Sequence, residues 1–394
     1  MLNLIQQKIT CPFCFEMFPL QDICFRCVAP SCSGRAPDQE YARAHGYTVA
    51  NIMGHVIQPP RQTWRLGMPR EVRCDACKYV SRTPICPLCH FELSHDIGST
   101  DQRIIAIIGG RATGKTHYIA SLIHRLQHEV GGNFNLAVRM VGDDTVGRWE
   151  RDFHTPLFVR KTVLQANRPA EIDAQVKAPL MFRLTFENGA FRHALNISFF
   201  DSAGEDMTSL STMLVQNRYI CRADGIIFLL DPLQISSVRQ QLSTANLPPQ
   251  DSNASPEYIV GRLRDLFERE YHLRATQKVK TPLAFTLSKV DTLAPLLEPG
   301  SELLHPGNHF SQLDLDDVQS VSTEIGNYLS EWINPNFCSV IDKNFAYYRY
   351  FGVSSLGEQP DAHNRLSTVS PLRVEDPFLW MLYKLNLIKG KKRR

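Results

Sequence analysis

Ile104-Ile105-Ala106-Ile107-Ile108-Gly109-Gly110-Arg111-Ala112-Thr113-Gly114-Lys115-Thr116 is an apolar run that empties into a glycine-rich loop ending in Lys-Thr. The run Ile104 to Ile108 suits a strand buried on both faces, as in a parallel sheet. His117 to Leu126 follow with helical spacing at Ile119, Leu122, Ile123 and Leu126. Strand, loop and helix thus come in the order a phosphate-binding loop requires. In G-x-x-x-x-G-K-[ST] the glycines let backbone N–H groups curl around phosphates. Lys115 reaches the terminal phosphates and is the candidate catalytic cation, the Thr116 hydroxyl holds Mg²⁺, and His117 continues the binding segment into the helix.

Downstream, Phe134 to Met140 reads as a strand and Asp143 to Phe153 as a helix. A switch segment is expected next, with Thr155 or Thr162 as the threonine that closes on the metal and Gln165 to Lys177 as a mobile polar loop. Leu180 to Phe186 and Ala194 to Phe200 form a hairpin around Glu187-Asn188-Gly189. The second of these strands ends in Asp201-Ser202-Ala203-Gly204-Glu205. An aspartate there is placed to hold Mg²⁺ through water, and a glycine three residues on leaves an N–H to sense a terminal phosphate. D-x-x-G alone is weak, and an Asp helix cap fits it equally; after a phosphate loop and at a strand end it becomes specific.

Asp224 to Leu230 is a further buried strand, and Leu283 to Leu287 another, opening into Ser288-Lys289-Val290-Asp291. A carboxylate at that strand end accepts two hydrogen bonds from guanine N1–H and N2, which adenine cannot supply, while the Lys289 stem lies along the ring. The last strand, Ala346 to Val353, leads into Ser354-Ser355-Leu356, where a backbone N–H is expected to meet the guanine oxygen. Helices are expected at Pro256 to Leu273, Asp317 to Trp332 and Asp376 to Leu387, with a polar linker at Pro248 to Ser255. The fold class is therefore α/β: a P-loop NTPase with three αβα layers and a mainly parallel sheet over residues 98–394, preceded by a small zinc-ribbon region, residues 1–97.

That head holds nine of the eleven cysteines, a clustering that points to metal rather than disulfides beside a nucleotide loop. Cys74, Cys77, Cys86 and Cys89 are two C-x-x-C knuckles suited to one tetrahedral Zn²⁺. Cys11, Cys14, Cys27 and Cys32 are favoured for a second site, with Cys24 as the alternative to Cys32. A cross-braced arrangement mixing the two groups fits the spacing as well. His90 is read as a bystander, and residues 33–73 as irregular, with room for a short hairpin. All-cysteine sites are closed and structural.

The net charge of +3 demands no nucleic-acid or acidic-lipid partner, and the basic end Lys389 to Arg394 reads as solvated. No apolar run reaches membrane-spanning length and no signal peptide is seen, so a cytoplasmic protein is expected.

Taken in order, GGRATGKT, DSAG, SKVD and VSSLG resemble the motif series of the TRAFAC clade of P-loop GTPases. With the double zinc ribbon, FFDSAGED and SPLRVEDPFLWMLYKL, the chain more narrowly resembles the bacterial double-GTPase 2 family. The resemblance implies a regulatory GTPase that binds GTP, Mg²⁺ and two Zn²⁺ and acts with a protein partner in bacterial conflict or defence systems. Two positions depart from the GTPase pattern. Ser288 stands where Asn or Thr is expected, which weakens guanine selectivity or affinity. Glu205, the second catalytic candidate, stands where Ras-like enzymes position water with glutamine; it accepts but cannot donate, so hydrolysis is expected to be slow or partner-stimulated. Arg111, Arg148, Arg151 and Arg160 are candidate transition-state cations, with plain surface arginines as the simpler account. Competing readings are an ATPase of the same fold and a zinc-ribbon adaptor that binds protein or nucleic acid through Arg61, Arg65, Arg70, Arg73 and Arg82.

Overall fold

Among the described residues, the phosphate-loop strand β1 (Asp101–Gly109) is the middle strand of a seven-stranded sheet. Its companions are β2 (Leu136–Met140), β3 (Leu180–Asn188), β4 (Phe191–Phe199), β5 (Gly225–Leu230), β6 (Leu283–Leu287) and β7 (Tyr348–Gly352), in the order β2-β3-β4-β1-β5-β6-β7. The computed structural model describes residues 8–45, 47–60, 68–110, 112–165, 179–188, 191–199, 213–242, 250 and 255–392. β4, β1, β5, β6 and β7 run parallel, and β3 is reversed because it forms a hairpin with β4. β2 adds an edge strand antiparallel to β3.

Strand alternation sorts β1 between two apolar layers. Ile105 and Ile107 pack on one face with α1 (Lys115–Arg125) and α8 (Asp376–Lys384), through Ile119, Leu122, Phe378 and Met381. Ile104, Ala106 and Ile108 pack on the other with α3 (Met213–Arg222), α5 (Pro256–Tyr271), α6 (Leu315–Trp332) and α7 (Phe337–Asn344). The result is the expected three layers. Each fully buried isoleucine contributes roughly 1.5–3 kcal/mol, so β1 is held by its sides.

Local chemistry sets the element ends. Ser255 caps α5 by accepting from Tyr258 N, and Asp314 caps α6 by accepting from Asp316 N and Asp317 N. α2 (Asp143–Arg148) does not stop at Phe153: it continues as a wide-turned helix, Trp149–Val159, with Pro156 inside. A proline has no N–H for the α ladder, and a widened turn accommodates its ring. β2 begins at Leu136, later than the expected Phe134, because Gly131–Asn133 form a helical turn and Asn135 lies at φ 49°. The final helix ends at Lys384, short of Leu387, with Asn386 at φ 59°.

The head has its own small core around Phe13, Phe18, Ile23, Phe25 and Leu93. Its longest sheet sets Cys24–Arg26 between Val56–Ile57 and Thr83–Ile85, both antiparallel to it. The stretch 33–73 is less irregular than expected: Ala36–Pro37 pairs with Ile52–Met53, and a helix runs over Gln39–His45. Asp38 starts that helix by accepting from Tyr41 N at 2.9 Å, a capping signal that aperiodic composition concealed.

Several expectations fall outside the described residues: Arg61, Arg65 and Arg111, the loop beyond Gln165, the turn residue Gly189, the segment with Asp201, Gly204 and Glu205, and most of the 248–255 linker.

Candidate functional site

β1 ends at Gly109, opposite Leu229 of β5. A Cβ at Gly109 would come within 2.4 Å of Leu229 O, so the strand turns into the loop only with glycine there. Ala112 (φ 58°) and Gly114 (φ 86°) take left-handed conformations, and Thr113 Oγ1 donates to Gly110 O at 3.0 Å. α1 starts at Lys115, and its first ladder bond runs from Tyr118 N to Gly114 O at 2.8 Å. The amides of Lys115, Thr116 and His117 therefore precede the ladder, at the positive end of the helix dipole. Lys115 is buried, with Nζ donating to Gly109 O and Gly110 O at 3.1 Å each. A buried ammonium aimed along a glycine loop is a phosphate-ready arrangement.

Parallel register brings the other motifs to the same sheet edge. Leu230 pairs with Leu287, and Leu287 with Gly352, so the segments after β5, β6 and β7 leave the sheet side by side. Cross-bonds lock them together. Ser288 donates to Leu230 O through N (2.9 Å) and Oγ (3.2 Å). Val290 N donates to Val353 O at 3.2 Å. Ser121 of α1 donates to Ser355 O at 2.7 Å, joining the last loop to the phosphate-loop helix. Ser354 Oγ accepts from Gly357 N at 2.9 Å, and Leu356 packs on the core. Asp291 is half-buried at this edge.

Some partners were not legible in the sequence. Lys289, whose stem is expected along a base, sits at φ 54° and pairs through Nζ with Oδ2 of Asp231 at 2.6 Å. Asp231 is fully buried and also accepts from Leu233 N at 2.9 Å. The His117 side chain turns away from the loop and accepts from Leu164 N at 3.0 Å. Burial, helped by nearby Lys289, pulls its pKa down to about 4, so it is neutral at pH 7.

The switch-threonine candidates are both engaged or enclosed. Thr155 lies inside the Trp149–Val159 helix, which removes it from an extended loop. Thr162 donates its hydroxyl to Pro156 O at 3.1 Å and bridges Arg365. Of the candidate arginines, Arg151 is exposed and paired with Asp152 at 2.7 Å, and Arg160 is exposed, as surface residues would be.

In the head, the cysteines group as Cys11, Cys14, Cys86, Cys89 and as Cys27, Cys32, Cys74, Cys77. The favoured grouping by sequence neighbourhood is thereby corrected to a cross-brace. The antiparallel strands explain it: Cys24 lies opposite Ile85 and Arg26 opposite Thr83. Cys86 is thus carried to the Cys11 side, while Cys27 leaves toward Cys74 and Cys77. Sγ separations of 3.7 and 3.9 Å in the first set and 3.6 and 3.8 Å in the second match the edge of about 3.8 Å of a tetrahedron with Zn–S near 2.3 Å. Both sets therefore fit one tetrahedral ion each. Cys24 stays outside: its thiol donates to Asp22 O, and burial pushes it up to about 11. His90, as expected, is not in either set and bonds Asp38 at 2.8 Å.

A third set, His309, Asp317 and Asp376, also brings ligand-type atoms within 4.8 Å. Arg373 already donates to both carboxylates, at 2.9 and 2.7 Å, and Asp314 N donates to His309 Nδ1 at 3.2 Å. An imidazole accepting at Nδ1 carries its proton on Nε2, which faces Asp376 Oδ1 at 3.3 Å; the set is an ion-pair web.

The family model described as Double-GTPase 2 matches residues 103–340. A Mycolicibacterium smegmatis protein, "Putative ESX-1 scaffolding and assembly protein SaeC", is 28% identical over 317 residues, covering 75% of this chain and 78% of that protein. Among the described residues no helix is long and apolar enough to cross a membrane.

Proposed function

This chain belongs to the Double-GTPase 2 family, and from that premise we propose that it is a GTP-binding regulatory switch of the TRAFAC clade, a GTPase with a zinc-braced head. The observation that carries the reading is the meeting of the phosphate loop, Ser288–Asp291 and Ser354–Leu356 at neighbouring parallel strand ends, tied by Ser121 to Ser355 and Val290 to Val353. Gly109 to His117 hold the phosphates, with Lys115 neutralising charge that develops on them. Asp291 accepts from guanine N1–H and N2, and the backbone of Ser354 to Leu356 meets its oxygen. Thr116 and Asp201 are the residues that would hold Mg²⁺, which when bound neutralises phosphate charge. Gly204 senses the terminal phosphate, and Glu205 orients water only as an acceptor, so turnover is slow or partner-stimulated. The two cysteine sets hold Zn²⁺ structurally, and the chain divides into a head, residues 1–97, and a GTPase domain, residues 98–394.

The relative's name, as a scaffolding and assembly protein, supports a protein partner, and the family resemblance supports a conflict or defence setting in the cytoplasm. It also favours a second reading, a scaffold in which nucleotide is only a structural prop. Limited proteolysis separates them: a switch gives different cleavage patterns with GDP and with a non-hydrolysable GTP analogue, a prop the same pattern. The base is tested by equilibrium binding of GTP and ATP with Mg²⁺. GTP is expected to bind roughly 100-fold tighter or more, and Asp291→Asn to erase the difference; equal or tighter ATP binding overturns the guanine reading.

A further inference from the structure

The first cysteine knuckle does not end in the head. Phe15 closes its turn at φ 59°, donating its amide to Cys11 O, while Cys11 N donates to Glu16 O, both at 3.0 Å. Phe15 is 1% exposed and belongs not to the head core but to the apolar cluster that holds Ile104, Ala106 and Ile108 of β1 and Tyr219 and Ile220 of α3. Phe15 and Tyr219 ring centroids lie 5.1 Å apart, and beside them Arg218 pairs with Glu16 at 2.6 Å.

Tyr219 reaches on into the phosphate-loop strand. Ile104 O accepts from Asp224 N on the β5 side, so by strand alternation Ile105 O and Ile107 N face β4. Among the described residues the β1–β4 register runs to Ile105 opposite Phe199. Beyond it the Tyr219 hydroxyl supplies the next rung, donating to Ile105 O at 2.9 Å and accepting from Ile107 N at 3.2 Å. One side chain thus joins a metal knuckle, the helix after the D-x-x-G segment, and the strand that carries the phosphate loop. The other knuckles offer a contrast: the turn residue Lys78 is exposed, and His90 bonds Asp38 within the head.

We propose that the Cys11/Cys14/Cys86/Cys89 site is coupled to the nucleotide site, with Phe15 and Glu16 as the strut and Tyr219 as the positioning residue that transmits its state to β1. This rests on the nucleotide-binding reading above. A metal ion fixes the turn that presents Phe15 and Glu16. These in turn fix Tyr219 and Arg218, and hence the backbone leading into Gly109. Coupling is reciprocal in affinity, so nucleotide tightens metal binding at this site by the factor by which metal strengthens nucleotide binding, and a gain carried by the dissociation step slows metal loss. The Cys27/Cys32/Cys74/Cys77 site serves as an internal control.

The test is zinc release from the full chain into a chromogenic chelator, with and without Mg²⁺–GDP. Two phases are expected, one slowed about fivefold or more by nucleotide and one indifferent. Cys14→Ser should remove only the sensitive phase. Tyr219→Phe and Arg218→Ala should keep both zinc ions and abolish the nucleotide effect; Tyr219→Phe keeps the ring, so its fold is the safer comparison. Two phases both indifferent to nucleotide, in protein shown by direct titration to bind GDP, overturn the proposal while leaving the nucleotide reading intact. Failure of GDP to bind at all overturns both.

Discussion

The nucleotide-binding sheet and the cysteine head solve the same problem, holding short loops in register, by different physics. Around the phosphate loop the scaffold is apolar: Ile105, Ile107, Ile227 and Phe285 are 0% exposed, and loops hang from strand ends already fixed by packing. Among the described residues of the head each strand has two or three residues, too few to pack on their own. Two sets of four thiols supplement a core that is small. A loop hung on a packed sheet is legible from its neighbours in sequence. A site assembled by cross-bracing is not.

That contrast can be broken most severely by removing zinc. Structural zinc sites contribute on the order of 10 kcal/mol to the folding of small domains, so a strong chelator should unfold the head while β1 stays folded. Hydrogen exchange is expected to lose protection at Cys24–Arg26 and Thr83–Ile85 but keep it at Ile226–Leu229 and Ala284–Leu287, while Ile107, whose amide bonds Tyr219, reports the link between the two regions. Loss in both regions together would mean that the two do not fold on separate terms.

A smaller effect, confined to the nucleotide domain, comes from His117. Its folded pKa of about 4 lies below the ordinary 6.5, so the folded state binds fewer protons. The stability it lends is fully present above the unfolded value and is lost as pH falls from about 6.5 towards 4. Between pH 7 and pH 5 the loss should be about 2 kcal/mol. His117→Gln, which keeps an acceptor for Leu164 N, should lack that increment in urea titrations followed by tryptophan fluorescence. An identical pH slope in the variant would remove His117 from the account. The smallest effect is expected in the head, where Cys24→Ser should leave two zinc ions per chain by metal analysis; loss of one would restore Cys24 to a site.

Much of the nucleotide domain was legible in the sequence because its signals are local. An apolar run followed by glycines and Lys-Thr fixes strand, turn and helix among residues that touch along the chain. The same holds for Ser288 to Asp291 and Ser354 to Leu356, which sit where their strands end. The second helix outruns its expected end at Phe153 because a widened turn carries it past Pro156 to Val159, which periodicity does not show. Lys289 meeting Asp231, and His117 meeting Leu164, depend on which strand ends lie side by side.

By itself the sequence determined an α/β domain built on a G-x-x-x-x-G-K-T loop, and a head with nine cysteines, enough for two ions. Both are properties of contiguous residues and their spacing. Only the tertiary structure decided which cysteines come together and that Phe15 leaves its own head to lie against Tyr219. Those partners are separated by tens to hundreds of residues along the chain. An antiparallel strand pairing and a hydrophobic ring seeking burial bring them together, and neither leaves a mark in local spacing.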